Sequence, residues 1–266
     1  MAWKRLHFGP VLCEPERRVT YRQDEGSAMS GMTGSAKRNE IARFDALAAR
    51  WWEPKGPMRP LHMMNPVRAK WVTDRIFARF SPGVRVLDVG CGAGLLSEAL
   101  AKSGCDVLGL DAAGEAIAAA RAHAGGRGLS LDYRAGTAED LLAEGQTFPV
   151  ITALEVIEHV ADPAAFLATL AGLLEPGGLL FISTLNRTAR SYAVAKFGAE
   201  YMLRLLPVGT HAWKQFITPA ELGSLSRSAG LRLTDIAGLS FSAFSGGFRI
   251  SRDTAVNYIA AAEKPD

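Results

Sequence analysis

The chain has 266 residues, 48% hydrophobic and 21% charged, with a net charge of +3, which suits one large α/β domain with extensions. Residues 1–50 hold nine Lys/Arg and six Asp/Glu and so carry the whole excess; the balanced remainder argues against a nucleic-acid partner. No apolar run approaches the ~20 residues of a spanning helix, no secretory pattern opens the chain, and Cys13, Cys91 and Cys105 form neither a disulfide frame nor a metal set.

Residues 1–36 are polar and interrupted by Gly26, Ser27, Gly31, Gly34 and Ser35, and read as a disordered extension. Met29 and Met32 are alternative starts within it. Residues 37–83 read as N-terminal helices and a lid. Ile41, Phe44, Leu47, Ala48 and Trp51 recur at helical spacing. Arg50 to Arg68, RWWEPKGPMRPLHMMNPVR, is too proline-rich for one regular element. Its tryptophans, methionines, His62 and Arg68 favour a lid over a ligand rather than a packed strap. A helix is expected over Lys70–Phe80, closed by Ser81-Pro82-Gly83.

The stretch VRVLDVGCGAG, Val84 to Gly94, organises the core that spans 84–186. A short apolar strand runs into Gly90, Gly92 and Gly94, and a helix follows. Strand, glycine turn and helix open a cofactor crevice in an open α/β sheet. The next strand ends at Asp111, placed about 20 residues past the glycines to meet ribose hydroxyls. A dinucleotide fingerprint needs a third glycine where Leu95 stands. Asp88, just before the turn, would repel a pyrophosphate but welcome an amino group and a sulfonium. Those features point to S-adenosyl-L-methionine.

An alanine-rich helix follows over Ala113–His123, then strands over Leu129–Tyr133 and Val150–Leu154. The last runs into Glu155-Val156-Ile157-Glu158-His159. On a helix or tight turn Glu155, Glu158 and His159 share a face. Two carboxylates and an imidazole can hold a divalent cation with open positions, supply a general base, or only build an active-site wall. Asp162-Pro163 caps the next helix, and Leu179–Thr184 is a fifth strand. Residues 187–214 form an insert. On a helix, Val194, Phe197, Tyr201, Met202 and Leu205 fall on one side and Lys196, Glu200 and Arg204 largely on the other. A basic amphipathic segment with aromatics suits an anionic membrane surface, and a lid packed on the domain is the plainer reading. Residues 215–266 complete the core, with a helix after Thr218 and strands over Leu231–Leu239 and Val256–Glu263.

The lid, the VLDVGCGAG turn, EVIEHV, STLNR and GAEYMLRLLPVGTH together resemble the ubiquinone-biosynthesis O-methyltransferase family, from about Ile41 to the C-terminus. The resemblance implies a Rossmann-like class I methyltransferase: a seven-stranded, mostly parallel sheet with helices on both faces, an N-terminal helical lid and a helical insert after strand 5. It implies methylation of catechol-type hydroxyls of polyprenylated ubiquinone precursors, at two steps. By it Arg68, Gly90, Asp111 and Leu154 match cofactor-contacting positions, and Ala138 and Glu139 lie in the turn beside the adenine. Glu155, Glu158 and His159 match a divalent-metal site, for Mg2+ or another cation, and are also the expected catalytic residues. A cytoplasmic enzyme held peripherally on the inner membrane face, within a complex of pathway enzymes, is the expected setting. Ala212 departs from the family pattern, in which an acidic residue is common there. The alternative is a class I methyltransferase for a small soluble phenol or other acceptor.

Overall fold

The computed structural model describes residues 37–193, 213–242 and 246–266, all within one unit spanning Gly34–Asp266. The N-terminal extension and most of the insert, residues 194–212, lie outside the described residues. The elements run α1 (Arg38–Leu47), a 3-10 turn (Ala48–Arg50), α2 (Arg59–Phe77), β1 (Arg85–Val89), α3 (Leu95–Lys102), β2 (Asp106–Asp111), α4 (Gly114–Ala124), β3 (Leu131–Ala135), α5 (Ala138–Ala143), β4 (Phe148–Leu154), α6 (Pro163–Leu173) and β5 (Leu174–Leu185). After the insert come a 3-10 turn (Trp213–Gln215), α7 (Pro219–Ser228), β6 (Arg232–Ser242), β7 (Gly247–Ser251) and β8 (Asn257–Glu263).

The strands form one sheet in the order β3-β2-β1-β4-β5-β8-β6-β7. The first five are parallel, joined by helical crossovers, and β8 inserts antiparallel between β5 and β6. The expected seven strands become eight. The added one, β7, pairs antiparallel with an extended β6 at the sheet edge, with Leu239 opposite Ile250 and Phe241 opposite Phe248. Its sequence, GFRIS, alternates Phe248 and Ile250 with polar residues but is only five residues long, so its strand geometry depends on the ladder that β6 offers.

Successive strand residues point to opposite faces, which splits the core into two layers. Leu87, Ile151, Leu180 and Tyr258 pack with Phe166 and Leu170 of α6 on one face. Val86, Val150 and Phe181 pack with Val72 and Ile76 of α2 and Leu100 of α3 on the other. Burying each such side chain stabilises the fold by about 1.5–3 kcal/mol. Helix starts are set locally. Thr137 with Asp140, and Thr218 with Glu221, form capping boxes, and Asp162 accepts from Ala164 N–H and Ala165 N–H.

The second correction concerns α2. It begins at Arg59, within the stretch expected to be irregular, rather than at Lys70. Pro60 sits in the first turn, where its missing N–H costs nothing, and Pro66 is accommodated seven residues in. Packing of Met64, Trp71, Val72 and Ile76 against the core overrides the proline signal.

Candidate active site

The C-terminal ends of β1, β2 and β4 meet at one cavity of about 360 Å³, roofed by α1, the strap after it and the start of α2. This is where an open parallel sheet leaves a crevice. Arg68, Asp88, Gly90, Gly92, Asp111, Ala138, Glu139, Leu154, Glu155, Glu158 and His159 all line it. Gly94 does not. It starts α3 with φ +87°, and a Cβ there would strike the Tyr133 ring, so its glycine serves helix–strand packing.

Gly90 and Gly92 adopt φ +69° and +54°, and side chains there would meet Val156 and the Trp51 ring. Asp111 accepts 2.8 Å hydrogen bonds from Gly92 N–H and Ala113 N–H, one to each carboxylate oxygen. The remaining lone pairs of those oxygens can accept from hydroxyls. Burial raises its pKa, opposed by the backbone donors of Ala113 and Gly92. Asp88 is 2% exposed and accepts 2.6 Å hydrogen bonds from Ser97 and Thr152 hydroxyls. Burial raises it to about 6 against those bonds and the pull of Arg68.

Arg68, on α2, is 4% exposed. One guanidinium nitrogen lies 3.9 Å from Glu155, while its Nε has no hydrogen-bond partner among the described residues. Burial lowers its pKa, and Glu155 and Asp88 oppose that. A buried guanidinium with an unused donor suits a carboxylate ligand.

The Glu155-to-His159 segment is a turn, not a helix. Glu155 has φ +59°, the only non-glycine positive φ among the described residues. Its carboxylate accepts from Ser183 Oγ at 2.7 Å, and Glu158 accepts from Thr184 Oγ1 at 2.9 Å. Burial, then the Glu155 charge, holds the Glu158 carboxyl well above the usual carboxylate range. The His159 ring lies edge-on to Phe44, with Nδ1 3.1 Å from Glu40 of α1. Burial, with Arg43 and Lys37 nearby, lowers its pKa to about 4, so the imidazole is neutral at pH 7.

These partners surround the side chains of the expected metal site. Glu155, Glu158 and His159 line one cavity, yet among the described residues no three His, Cys, Asp or Glu side chains are placed to hold a metal ion. The turn sends His159 toward α1 and both carboxylates toward β5 hydroxyls, and the Arg68 guanidinium already supplies positive charge beside Glu155.

Residues beyond the expected set also build the cavity. Ile41, Phe44 and Leu47 of α1 line it, as does Trp51, which is 5% exposed above Gly92. Their helical periodicity was visible, but periodicity alone does not separate a packing face from a cavity wall. Trp52 pins the strap. Its ring stacks on His123 of α4 at 3.4 Å, and its Nε1–H donates to Ala93 O at 2.9 Å.

The donor set fits S-adenosylmethionine. Asp111 offers acceptor capacity for ribose hydroxyls, Arg68 an unused donor for a carboxylate, and Asp88 negative charge at the end of β1.

A family model described as a methyltransferase domain matches residues 62–236. A ubiquinone biosynthesis O-methyltransferase of Cereibacter sphaeroides is 50% identical over 236 residues, covering 85% of this chain and 96% of that one. A relative of the same name in Azorhizobium caulinodans is 49% identical, covering 83% and 90%. Among solved structures, a magnesium protoporphyrin IX methyltransferase from Synechocystis with bound SAH superposes with a TM-score of 0.60 at 20% identity, covering 84% of this chain and 98% of that one; at that identity it shows the fold alone.

Proposed function

The chain belongs to the ubiquinone biosynthesis O-methyltransferase family, and from that premise we propose that its cavity methylates catechol-type hydroxyls of polyprenylated ubiquinone precursors, at both O-methylation steps. It is an S-adenosylmethionine-dependent O-methyltransferase. The observation that carries the reading is one cavity lined both by the Asp88–Gly90–Asp111 end and by the Glu155–Glu158–His159 turn, so that methyl donor and hydroxyl acceptor can be held side by side.

Bound S-adenosylmethionine supplies a methyl group already activated by its sulfonium. Asp111 holds the ribose hydroxyls, Arg68 the carboxylate, and Gly90 and Gly92 give close backbone approach. The protein's remaining tasks are alignment, exclusion of water and removal of one proton. His159, neutral at working pH, accepts the hydroxyl proton at a ring nitrogen. Burial and the Glu155 charge favour the protonated Glu158 carboxyl, and the two acids form the polar wall with Arg68. Trp51, Phe44 and Leu47 keep water from the charged centre.

A polyprenyl tail partitions into the bilayer, so the reading places the enzyme on an anionic membrane surface, at the cytoplasmic face and alongside other pathway enzymes. No described helix is long and apolar enough to cross a membrane. The test is turnover of labelled S-adenosylmethionine with catechols that carry or lack a prenyl tail. Preference for the tailed acceptors is expected; equal or greater turnover of small soluble phenols would move the assignment to the alternative acceptor class.

A further inference from the structure

Glu40, Arg43, Phe44 and Leu47 recur three and four residues apart on α1, so they share one face of the helix, and all four line the cavity. Phe44 and Leu47 make the apolar part of that wall. Glu40 and Arg43 bring charge to the end where the Glu155–His159 turn lies. Glu40 is 3.1 Å from His159 Nδ1, and Arg43 and Lys37 are the cations whose charge acts on the His159 ring. From the turn itself, Glu155 and Glu158 line the same cavity.

Packing does not account for Arg43. Its side chain is 17% exposed, and its Nε and Nη1 are buried with no hydrogen-bond partner among the described residues. Glu40 lies 3.7 Å from Nη1, close enough for attraction but too far for a hydrogen bond. Arg68 also has an unused Nε, but it sits beside Glu155 and is the partner of the cofactor carboxylate in the reading above. Buried donors left unmade cost free energy that a ligand oxygen recovers. The reaction also needs a cation at this end. An imidazole, ordinarily titrating at about 6.5, is a weak base toward a phenolic hydroxyl at about 10, and a positive charge at the oxygen narrows that gap.

We propose that Arg43 is a catalytic residue, its guanidinium donating to the acceptor oxygen as that oxygen loses its proton to His159. The inference rests on the catechol-acceptor reading above and deepens it. The O–H bond breaks and its proton passes to the imidazole. The electron pair left on oxygen forms the bond to the methyl carbon as the carbon–sulfur bond breaks, leaving S-adenosylhomocysteine. Arg43 stays cationic throughout, Glu40 offsets the imidazolium, and His159 then releases its proton to solvent. A donor aimed where negative charge develops acts most strongly in a buried site, and Phe44 and Leu47 on the same helix face keep water from it.

The experiment is a spectroscopic titration of 4-nitrocatechol, whose ionised form absorbs at longer wavelength, bound to the full chain with S-adenosylhomocysteine. That product has no sulfonium, so a lowered pKa reports the protein's own charges. In the parent the bound hydroxyl is expected to titrate about one to three units below its value in free solution. The shift should be largely lost in Arg43→Gln and kept in Arg43→Lys, with calorimetric affinity for S-adenosylhomocysteine unchanged in both. Arg43→Gln should also lower kcat/KM at least about tenfold for plain catechol, and by less for 4-nitrocatechol, which ionises more readily. A bound hydroxyl that titrates at its free value in the parent overturns the inference without recourse to any variant. A shift that persists in Arg43→Gln, or an equal loss of turnover on both catechols, overturns it too and leaves the acceptor reading standing. A parent that neither binds nor methylates any catechol, tailed or not, overturns the acceptor reading and the inference with it.

Discussion

Asp88 carries a pH signature that separates it from Asp111. Its carboxyl titrates at about 6 because it is buried, although two hydroxyls donate to it. Its pKa is raised above the unfolded value, so the native state binds more protons between that value and 6, and stability falls as pH rises through this window. Cofactor affinity runs the other way, since a cationic ligand prefers the ionised carboxylate. Calorimetric affinity for S-adenosylmethionine is therefore expected to strengthen as pH rises through 6 and then level off; a flat profile would detach Asp88 from the ligand. Asp111→Ala removes two backbone bonds and the ribose acceptors, each charge-assisted bond contributing about 1.5–3 kcal/mol, so affinity should drop at least tenfold at every pH. His159→Ala should abolish turnover with cofactor affinity retained. A base must be unprotonated, so at saturating substrates the rate should rise with pH through about 4 and show no limb near the ordinary histidine value. A limb between pH 6 and 7 that vanishes in the variant would mean that substrate binding resets the imidazole.

At the scale of elements, the strap between α1 and α2 is held from three sides. Trp52 stacks on His123 and bonds Ala93, Asn65 Nδ2 donates to Leu95 O at 2.7 Å, and His62 Nε2 lies 2.8 Å from Trp51 O. All three place Trp51 over Gly92, where no Cβ fits. Trp52→Ala removes the stack and one hydrogen bond without touching the cavity, because Trp52 does not line it. The expected result is a higher KM for S-adenosylmethionine with kcat largely kept. An unchanged KM would show that the strap holds without its anchor. This architecture was only partly legible. The tryptophans and methionines marked a lid, but Pro60 and Pro66 obscured the helix that carries Arg68 into the site.

For the whole molecule, every site residue lies in the unit Gly34–Asp266, and residues 1–33 fall outside it. Removal of residues 1–33 is expected to leave the thermal midpoint and kcat/KM unchanged. A fall in either would give the extension a part in folding or catalysis.

Local chemistry determined the strand-to-helix glycine turn, Asp88 and Asp111, because those positions answer to backbone sterics and ligand charge within about 20 residues of chain. Helix starts at Asp162 and Thr218 were equally readable, since a cap is satisfied by its own next turn. Only the tertiary structure decided what Glu155, Glu158 and His159 face. Their partners, Ser183, Thr184 and Glu40, come from β5 and α1, elements distant in sequence. The same holds for β7, which is a strand because an extended β6 offers it a ladder. Sequence spacing sets which residues are neighbours along one element; which groups satisfy a buried polar atom depends on the elements that packing brings against it.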